Sequence, residues 1–289
     1  MSLILDGKIV RDRIAAELRR EISRRGITPT LAIIEVGNRP DSSAYINQKK
    51  LFAERIGATV KLTNFSDSSS EEEITAAIGS LNQDSAVNGI IVQLPLPSHL
   101  NPSIIIDAID PKKDVDGLTA TNLKILLSGN LGGLLPATAK GVLALLDYYK
   151  IKIAGRRVVV VGRSLLVGRP MALALLARDA TIMVCHSKTA NLPEVTKQAD
   201  ILVAAAGQSA LIGKECVRAG QTVIDVGINV SVSGEKLIEE VGGKKIVGDV
   251  KFDEVASVVA AISPVPGGVG PMTVASLFEN LVTVGQHEK

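Results

Sequence analysis

The sequence predicts an α/β protein with two domains, and three observations carry the prediction. Short runs rich in Val and Ile, among them LAIIEV at 31–36, NGIIVQL at 88–94, RVVVV at 157–161 and TVIDVG at 222–227, alternate with helical patterns, as parallel strands buried beneath helices do. At 289 residues the chain is long enough for two cores of ordinary size. Apolar residues make up 46% but aromatics only 2%, with no Trp, so those cores must be packed from Ile, Leu, Val and Ala.

Taken in order, a helical pattern over about 10–25 precedes the strand 31–36, and a second helix follows over about 42–56. ATVKL at 58–62 reads as a strand, SSSEEEI opens a helix with capping-box spacing, and 88–94 is a buried strand. Between Pro95 and Gly133 the turn signals PLPSHLNP, DPKKDVDG and SGNLGG predict loops around short helices. A second alternating series runs through 157–161, TIMVC at 181–185, DILVAAA at 200–206 and 222–227, which describes a nucleotide-binding type of sheet. The boundary between domains is expected near Leu143 to Gly155, and a last helix over 272–285 is expected to return to the first domain.

Charge and cysteine content exclude several classes of function. The 32 basic and 30 acidic side chains leave a net charge of +2, so no global field draws the chain to nucleic acid or membrane. Stacking aromatics are too scarce for a single-strand binder. Cys185 and Cys216 have neither metal nor disulfide-framework spacing, and His99, His186 and His287 do not cluster, so no metal is expected and a reducing, cytoplasmic setting is. MSLILDGKIVRDRI is unlike a signal peptide, and no stretch approaches membrane-spanning length.

Several segments carry chemistry. Gly162-Arg163-Ser164-Leu165-Leu166-Val167-Gly168-Arg169-Pro170 links a strand to a helix, a context in which helix N-terminal amides can bind an anion. Gly162 and Gly168 stand six apart, so the standard G-x-G-x-x-G fingerprint is not met. The next strand ends in Cys185-His186-Ser187-Lys188-Thr189, without the acid that usually binds ribose hydroxyls. With Arg163 nearby, that favours NADP over NAD, although the same residues also suit a solvated loop. Residues 264–273, PVPGGVGPMT, hold six Gly or Pro without a linker's polarity. They read either as a side-chain-poor wall beside a flat ligand or as a tight loop before the last helix.

Tyr45 and Lys49 lie four apart and share one helix face, yet a lone helical lysine is ordinarily solvated, as its neighbour Lys50 would be. Gln93 ends an apolar strand at the edge where α/β sites form. Asp114 and Asp116 in PKKDVDG read equally as turn caps and as ligands.

Together YINQK at 45–49, VQLPLP at 92–97, PKKDVDG at 111–117, VVVGRSLLVGRP at 159–170, CHSKT at 185–189 and PVPGGVGPMT resemble the bifunctional methylenetetrahydrofolate dehydrogenase and methenyltetrahydrofolate cyclohydrolase family. The resemblance spans nearly the whole chain, in the family's order. It implies two α/β domains flanking a cleft: a folate-binding catalytic domain at 1–142 with the helix 271–289, and a Rossmann-like NADP-binding domain at 143–270. It further implies oxidation of 5,10-methylenetetrahydrofolate with NADP, then hydrolysis to 10-formyltetrahydrofolate, in a cytoplasmic homodimer serving one-carbon metabolism and purine biosynthesis.

By the same resemblance Lys49 matches the catalytic lysine, Gln93 the residue supporting it, Tyr45 the tyrosine that stacks on or positions folate, and Asp116 the carboxylate that binds the pterin. Ser42, Leu94, Pro266, Gly267 and Gly268 fall at folate-contacting positions. Gly162, Arg163, Ser164, Gly168, Ser187, Thr138 and Ile228 fall at cofactor-contacting ones. Where the family reads P-C-T-P-x-G, this chain has Pro136-Ala137-Thr138-Ala139-Lys140-Gly141, which suggests a reshaped or looser loop. The rival readings are a dehydrogenase without the hydrolase step, a dehydrogenase of a small hydroxy or amino acid, and a non-catalytic dinucleotide-binding regulator.

Overall fold

The computed structural model describes residues 2–231, 240–241 and 244–284. In chain order, β1 (Leu3–Ile4) and α1 (Gly7–Arg25) lead to β2 (Thr30–Val36), α2 (Pro40–Ile56), β3 (Thr59–Phe65), α3 (Glu71–Gln83) and β4 (Gly89–Val92). Then come α4 (Pro102–Asp107), α5 (Ala120–Leu127), α6 (Ala137–Tyr148), β5 (Arg157–Val161), α7 (Gly168–Leu176), β6 (Thr181–Cys185), α8 (Leu192–Thr196) and β7 (Ile201–Ala204). β8 (Thr222–Asp225), β9 (Asn229–Ser231), β10 (Glu240–Val241), β11 (Lys244–Val247), α9 (Phe252–Ala256), β12 (Ala261–Ile262) and α10 (Val269–Val284) complete the described residues.

The chain divides into two compact units. One comprises residues 12–125, 132–137 and 274–289, and it holds a parallel sheet in the order β3-β2-β4. β2 lies in the middle, so the chain's path reverses there, and ligands in such sheets bind outside the strands' carboxyl ends at that point. One face of the sheet buries Ala32, Ile34, Val36, Ile90 and Val92 against Ile74 and Ile78 of α3. Each of the buried Val and Ile side chains among these contributes about 1.5–3 kcal/mol. Ser70 caps α3 through a capping box, accepting from the Glu73 amide while Glu73 accepts from the Ser70 amide, which fixes where the helix starts.

The C-terminal half of α10 belongs to this unit. Phe278 packs on Phe52 of α2 with ring centroids 5.2 Å apart. Asn280 is buried at 1% exposure and donates from Nδ2 to the carbonyls of Val115 and Leu135, each at 2.9 Å. One amide side chain thereby ties together two loop backbones that would otherwise carry unpaired buried carbonyls.

The other unit comprises residues 1–11, 126–131 and 138–273. Its six-stranded sheet runs β1-β12-β8-β7-β5-β6, with every pairing parallel. The core on one face is built from Val159, Val161, Leu202, Ala204, Val223 and Ile262, with Cys185 and Cys216 buried among them. Both cysteines are free, and burial pushes their thiols up, so they act as small apolar side chains. A small antiparallel sheet, β10-β11-β9, is appended to this unit.

Residues 1–11 were expected with the first domain. They group instead with the six-stranded unit, because β1 pairs with β12 through Leu3↔Ala261 and Ile4↔Ile262. Residues 138–142 also group there, and the return to the first unit begins at Val274. The stretch 264–273 is not one wall. Residues 264–268 form a turn through a cis Val265–Pro266 bond, and Val269 already begins α10, three residues ahead of expectation. Nor is the Ala137–Ala139 segment loosened: both alanines sit at 1% exposure in the first turn of α6, where alanine is the best helix former.

Asn280→Ala removes two hydrogen bonds and strands two carbonyls, so denaturant unfolding should show a loss of about 2–4 kcal/mol. Gly162 has φ +132°, and a Cβ there would overlap the Ala205 carbonyl. Gly162→Ala should therefore lower the melting midpoint, where a neutral result would contradict the close strand-to-strand packing.

Candidate active site

Sequence alone leaves Lys49 and Lys50 equivalent, and the fold separates them. α2 follows β2 and carries Lys49 toward the end of β4, where Lys49 Nζ donates to Gln93 Oε1 at 2.7 Å. Gln93 is the first residue beyond β4, and its amide donates to the Ile34 carbonyl at 2.8 Å. Its side-chain Nε2 donates to the Leu94 carbonyl at 2.9 Å. That second bond fixes the amide's orientation, so the oxygen faces the lysine. The peptide that follows, Leu94–Pro95, is cis.

Lys49 and Asp116 are each partly exposed yet surrounded by protein on most sides. Burial holds the Lys49 amine below the ordinary lysine range, against the opposing pull of the Asp116 charge. Burial likewise pushes the Asp116 carboxyl up to about 6, with the Lys49 charge working against it and the Asp114 charge adding to it. Gln93 matters in this balance because it is neutral. A carboxylate at its position would stabilise the ammonium, whereas an amide oxygen orients the amine with much less preference for the charged form.

The two aspartates of PKKDVDG have different roles in the fold. Asp114, at 1% exposure, accepts from the Gly117 amide (2.9 Å), the Thr119 amide (2.8 Å) and Asn122 Nδ2 (2.9 Å). It organises the loop and is spent on the backbone. Ile90 forms an isolated parallel bridge with Asp114, and its amide donates to the Lys113 carbonyl at 2.7 Å, so the loop is registered on β4. Asp116, two residues on, is then presented to Lys49. Gly117, at φ +70°, approaches the Leu135 backbone so closely that no side chain fits. Asn280 holds Val115 and Leu135 on either side of this region, and nothing in the sequence marks it as part of the site.

The structure thus brings Lys49, Gln93 and Asp116 together. Tyr45 is half-buried one turn before Lys49 on α2, Ser42 is buried in the first turn of that helix, and Leu94 is half-buried beside Gln93. Pro266, Gly267 and Gly268 belong to the other unit. Their glycines answer to packing: Gly267 has φ +104°, the Gly7 amide donates to its carbonyl at 2.9 Å, and a Cβ on Gly268 would meet the Pro264 carbonyl at 2.5 Å.

In the six-stranded unit β5 pairs with β6 on one side and β7 on the other, which makes its carboxyl end the switch point where dinucleotides bind. Gly162 leaves β5 there, and a Cβ on Gly168 would overlap the Gly162 carbonyl, so this turn can be made only of glycines. The amides at the start of α7, expected to face an anion, are already bonded within the loop. Those of Val167 and Gly168 donate to Ser164 Oγ at 3.2 Å each, and that of Arg169 donates to the Ser164 carbonyl at 3.0 Å. Ser164 therefore caps the helix, and its own hydroxyl proton remains to be donated.

Beyond β6 the His186 amide donates to Thr189 Oγ1 at 2.9 Å and the Lys188 amide to His186 Nδ1 at 3.1 Å. This tight turn leaves Ser187 and Lys188 exposed, and the Gly162 amide donates to the Cys185 carbonyl at 2.8 Å, which sets the turn next to exposed Arg163. A switch-point glycine cradle flanked by a guanidinium, an ammonium and a hydroxyl, with no carboxylate at the strand end, fits a phosphorylated dinucleotide.

Ile228, at 46% exposure, follows β8 on the same edge of the sheet. Its loop is anchored by two buried acids. Asp225 accepts from the amides of Gly227, Asp249 and Val250, each at 3.0 Å, and Asp249 accepts from the amides of Ala206 (2.6 Å) and Gly207 (3.0 Å) and from Asn229 Nδ2 (2.9 Å). Thr138 lies half-buried in α6, where its Oγ1 accepts from Thr273 Oγ1 at 3.4 Å.

Comparison with known proteins agrees with this geometry over the whole chain. Residues 5–116 match the tetrahydrofolate dehydrogenase/cyclohydrolase catalytic domain, and residues 136–289 match the NAD(P)-binding domain of the same family. The bifunctional protein FolD of Methanospirillum hungatei is 46% identical over 99% of this chain and 98% of its own length. That of Enterococcus faecalis is 42% identical over 100% of both chains. Among solved structures, the FolD methylenetetrahydrofolate dehydrogenase/cyclohydrolase of Campylobacter jejuni superposes with a TM-score of 0.93 at 41% identity, covering 100% of both chains. The Trypanosoma brucei enzyme, solved with NADP cofactor and an inhibitor, gives 0.93 at 35% identity over 99% of this chain and 97% of its own. With a lysine on a neutral amide in one unit and a glycine-turned dinucleotide edge in the other, the chain belongs to the tetrahydrofolate dehydrogenase/cyclohydrolase family.

Proposed function

We propose that the chain oxidises 5,10-methylenetetrahydrofolate with NADP and then hydrolyses the methenyl product to 10-formyltetrahydrofolate. The observation that carries this reading is the Lys49–Gln93 contact beside Asp116, a desolvated amine placed to handle protons next to a carboxyl that can pair with a pterin. Tyr45, Ser42 and Leu94 surround the same helix and strand end and are assigned to holding folate.

NADP, when bound, supplies the hydride acceptor for the first reaction. Gly162 and Gly168 give its backbone room, Arg163, Ser164, Lys188 and Ser187 are assigned to its phosphates, and Ile228 and Thr138 to its remaining contacts. The protein's part in this reaction is alignment, and the methenyl cation left on the substrate is stabilised by its own two nitrogens.

The hydrolysis needs protons moved. Neutral Lys49 accepts a proton as water adds to the methenyl carbon, and returns it to N5 as the carbon–N5 bond breaks. The proton of the new hydroxyl leaves to solvent, giving the formyl group on N10. A rigid amide partner keeps Nζ in one place in both protonation states, and Asp116, whose own carboxyl titrates near 6, sets how tightly the amine holds its proton.

The product fits an organism's one-carbon metabolism, including purine synthesis, and the cytoplasm is the proposed compartment. No described helix is long and apolar enough to cross a membrane. A homodimer is proposed, and edge strand β6 supports it with Val184 at 42% exposure and Leu176 of the preceding helix at 55%. A dehydrogenase without hydrolase activity is disfavoured because it has no use for the oriented Lys49.

Lys49→Met should reduce cyclohydrolase kcat at least about 100-fold and leave the NADP dissociation constant unchanged; unaltered hydrolysis in an absorbance assay of methenyl decay would sink the assignment. The cyclohydrolase rate should rise with pH as Lys49 loses its proton, with a midpoint below the ordinary lysine value because burial disfavours the charged amine. Asp116→Asn, by removing the charge that holds that proton, should move the midpoint lower still. Arg163→Ala should weaken NADP more than NAD in a KM comparison, and an equal loss for both would remove its proposed 2′-phosphate contact.

A further inference from the structure

Asp249, fully buried in the six-stranded unit, joins two segments that are distant in sequence and meet at the dinucleotide edge. Its Oδ2 accepts from the amides of Ala206 (2.6 Å) and Gly207 (3.0 Å), just beyond β7, and its Oδ1 accepts from Asn229 Nδ2 (2.9 Å) at the start of β9. It is held in turn by its own backbone, whose amide donates to Asp225 Oδ1 at 3.0 Å and whose carbonyl accepts from the Ile212 amide at 2.9 Å. Two glycines record how closely the acids are packed. A Cβ on Gly227 would overlap the Asp249 carboxylate, and one on Gly248 would overlap that of Asp225, so each acid fills the space that a side chain on the other's segment would need.

Both segments lead to the dinucleotide edge. Ala205, directly before the two amides that Asp249 binds, donates to the Val161 carbonyl at 2.8 Å, and its own carbonyl is the group against which Gly162 packs. On the other side, Asp225 binds the Gly227 amide at 3.0 Å and Asp249 binds Asn229, so Ile228 lies between two fixed neighbours with 46% of its surface exposed. An apolar side chain left exposed on a backbone fixed at both flanks has little freedom to lose when a ligand covers it, and such pre-organisation favours binding.

We propose that Asp249 is a positioning residue for NADP, which through Ala206, Gly207 and Asn229 holds the loop after β7 and Ile228 as one rigid wall beside the Gly162 turn. The inference rests on the assignment of this edge to NADP. The bond to Asn229 gives it a chemical signature. An asparagine at 249 has the shape of the acid but only one acceptor oxygen; turned to the Ala206 and Gly207 amides, it sets its NH2 against that of Asn229. Combining Asp249→Asn with Asn229→Asp reverses the direction of that bond and restores it.

The test compares the parent with Asp249→Asn, Asn229→Asp and the double variant in NADP dissociation constant by calorimetry, cyclohydrolase kcat on methenyltetrahydrofolate, and thermal midpoint. Each single variant should weaken NADP by about tenfold or more, and the double variant should return to within about threefold of the parent. Hydrolysis uses no NADP and draws on side chains of the other unit, so its kcat should hold in all three. Parent-like NADP affinity in Asp249→Asn, whatever its thermal midpoint, would overturn the proposal and leave Asp249 a support of the fold alone. A double variant no better than the singles, or hydrolysis falling in step with NADP affinity, would overturn it equally. Where Asp249→Asn does not fold, Asn229→Ala breaks the same link, and unchanged NADP affinity there would be decisive against the proposal. Failure of the cofactor assignment shows separately, as a parent protein that binds no NADP.

Discussion

A lysine amine hydrogen-bonded to a neutral amide at the carboxyl edge of a parallel sheet is the interaction on which the catalytic half of this structure turns. The amine must be desolvated enough to part with its proton and fixed enough to meet one carbon atom. Gln93 meets the second need without defeating the first, because an amide oxygen orients a donor without adding a full negative charge. Much of the surrounding construction serves that pair. The Nε2 bond to Leu94 keeps the oxygen turned toward Lys49, Asp114 spends its carboxylate on the loop so that Asp116 is free for the site, and Asn280 clamps the backbone on both sides of Asp116.

The two units apply the same topological rule with opposite materials. Each sheet has a strand where the order reverses, β2 in one and β5 in the other, and each candidate site lies at that strand's carboxyl end. In the three-stranded unit the site is made of side chains that cross between elements. In the six-stranded unit it is made of their absence, since Gly162 and Gly168 pack against backbone where no Cβ could stand. Buried Asp225 and Asp249 then do for this edge what Asp114 does for the other, gathering six donors that hold three loop segments in place. Carboxylates that accept several backbone amides rigidify a loop more than they contribute to chemistry.

What the sequence made legible follows from how local each signal is. RVVVV and TIMVC coincide with β5 and β6 residue for residue, because each parallel strand reads as a continuous apolar run bounded by turns, although β5 is buried and β6 is the partly exposed edge. The two-residue strands β1 and β12 carry no such run and exist only through pairing with each other and with β8, so the first eleven residues could not be placed from composition. The stretch 264–273 illustrates the limit of reading Gly and Pro as one motif: Pro271 is tolerated within the first turn of α10. At the site, Tyr45 and Gln93 were marked by spacing and strand-end position, whereas Lys49 was set apart from Lys50 only by the family resemblance. Residue type alone did not separate Asp114 from Asp116, since only tertiary contact with Gly117, Thr119 and Asn122 distinguishes the organiser from the presented carboxyl. Asn280 lay among apolar neighbours, and its importance is visible only once α10 is assembled on the loops of Val115 and Leu135.

The central claim, that burial on a neutral acceptor leaves Lys49 with a weakly held proton, is open to direct observation. Protein labelled with nitrogen-15 at lysine, its Lys49 side-chain signal assigned by loss in Lys49→Met, can be titrated by nuclear magnetic resonance. Lys49 should titrate with a midpoint below the ordinary lysine value of about 10.4. A Lys49 signal titrating at or above that value would contradict the account, because the amine would then remain charged throughout the range in which hydrolysis occurs.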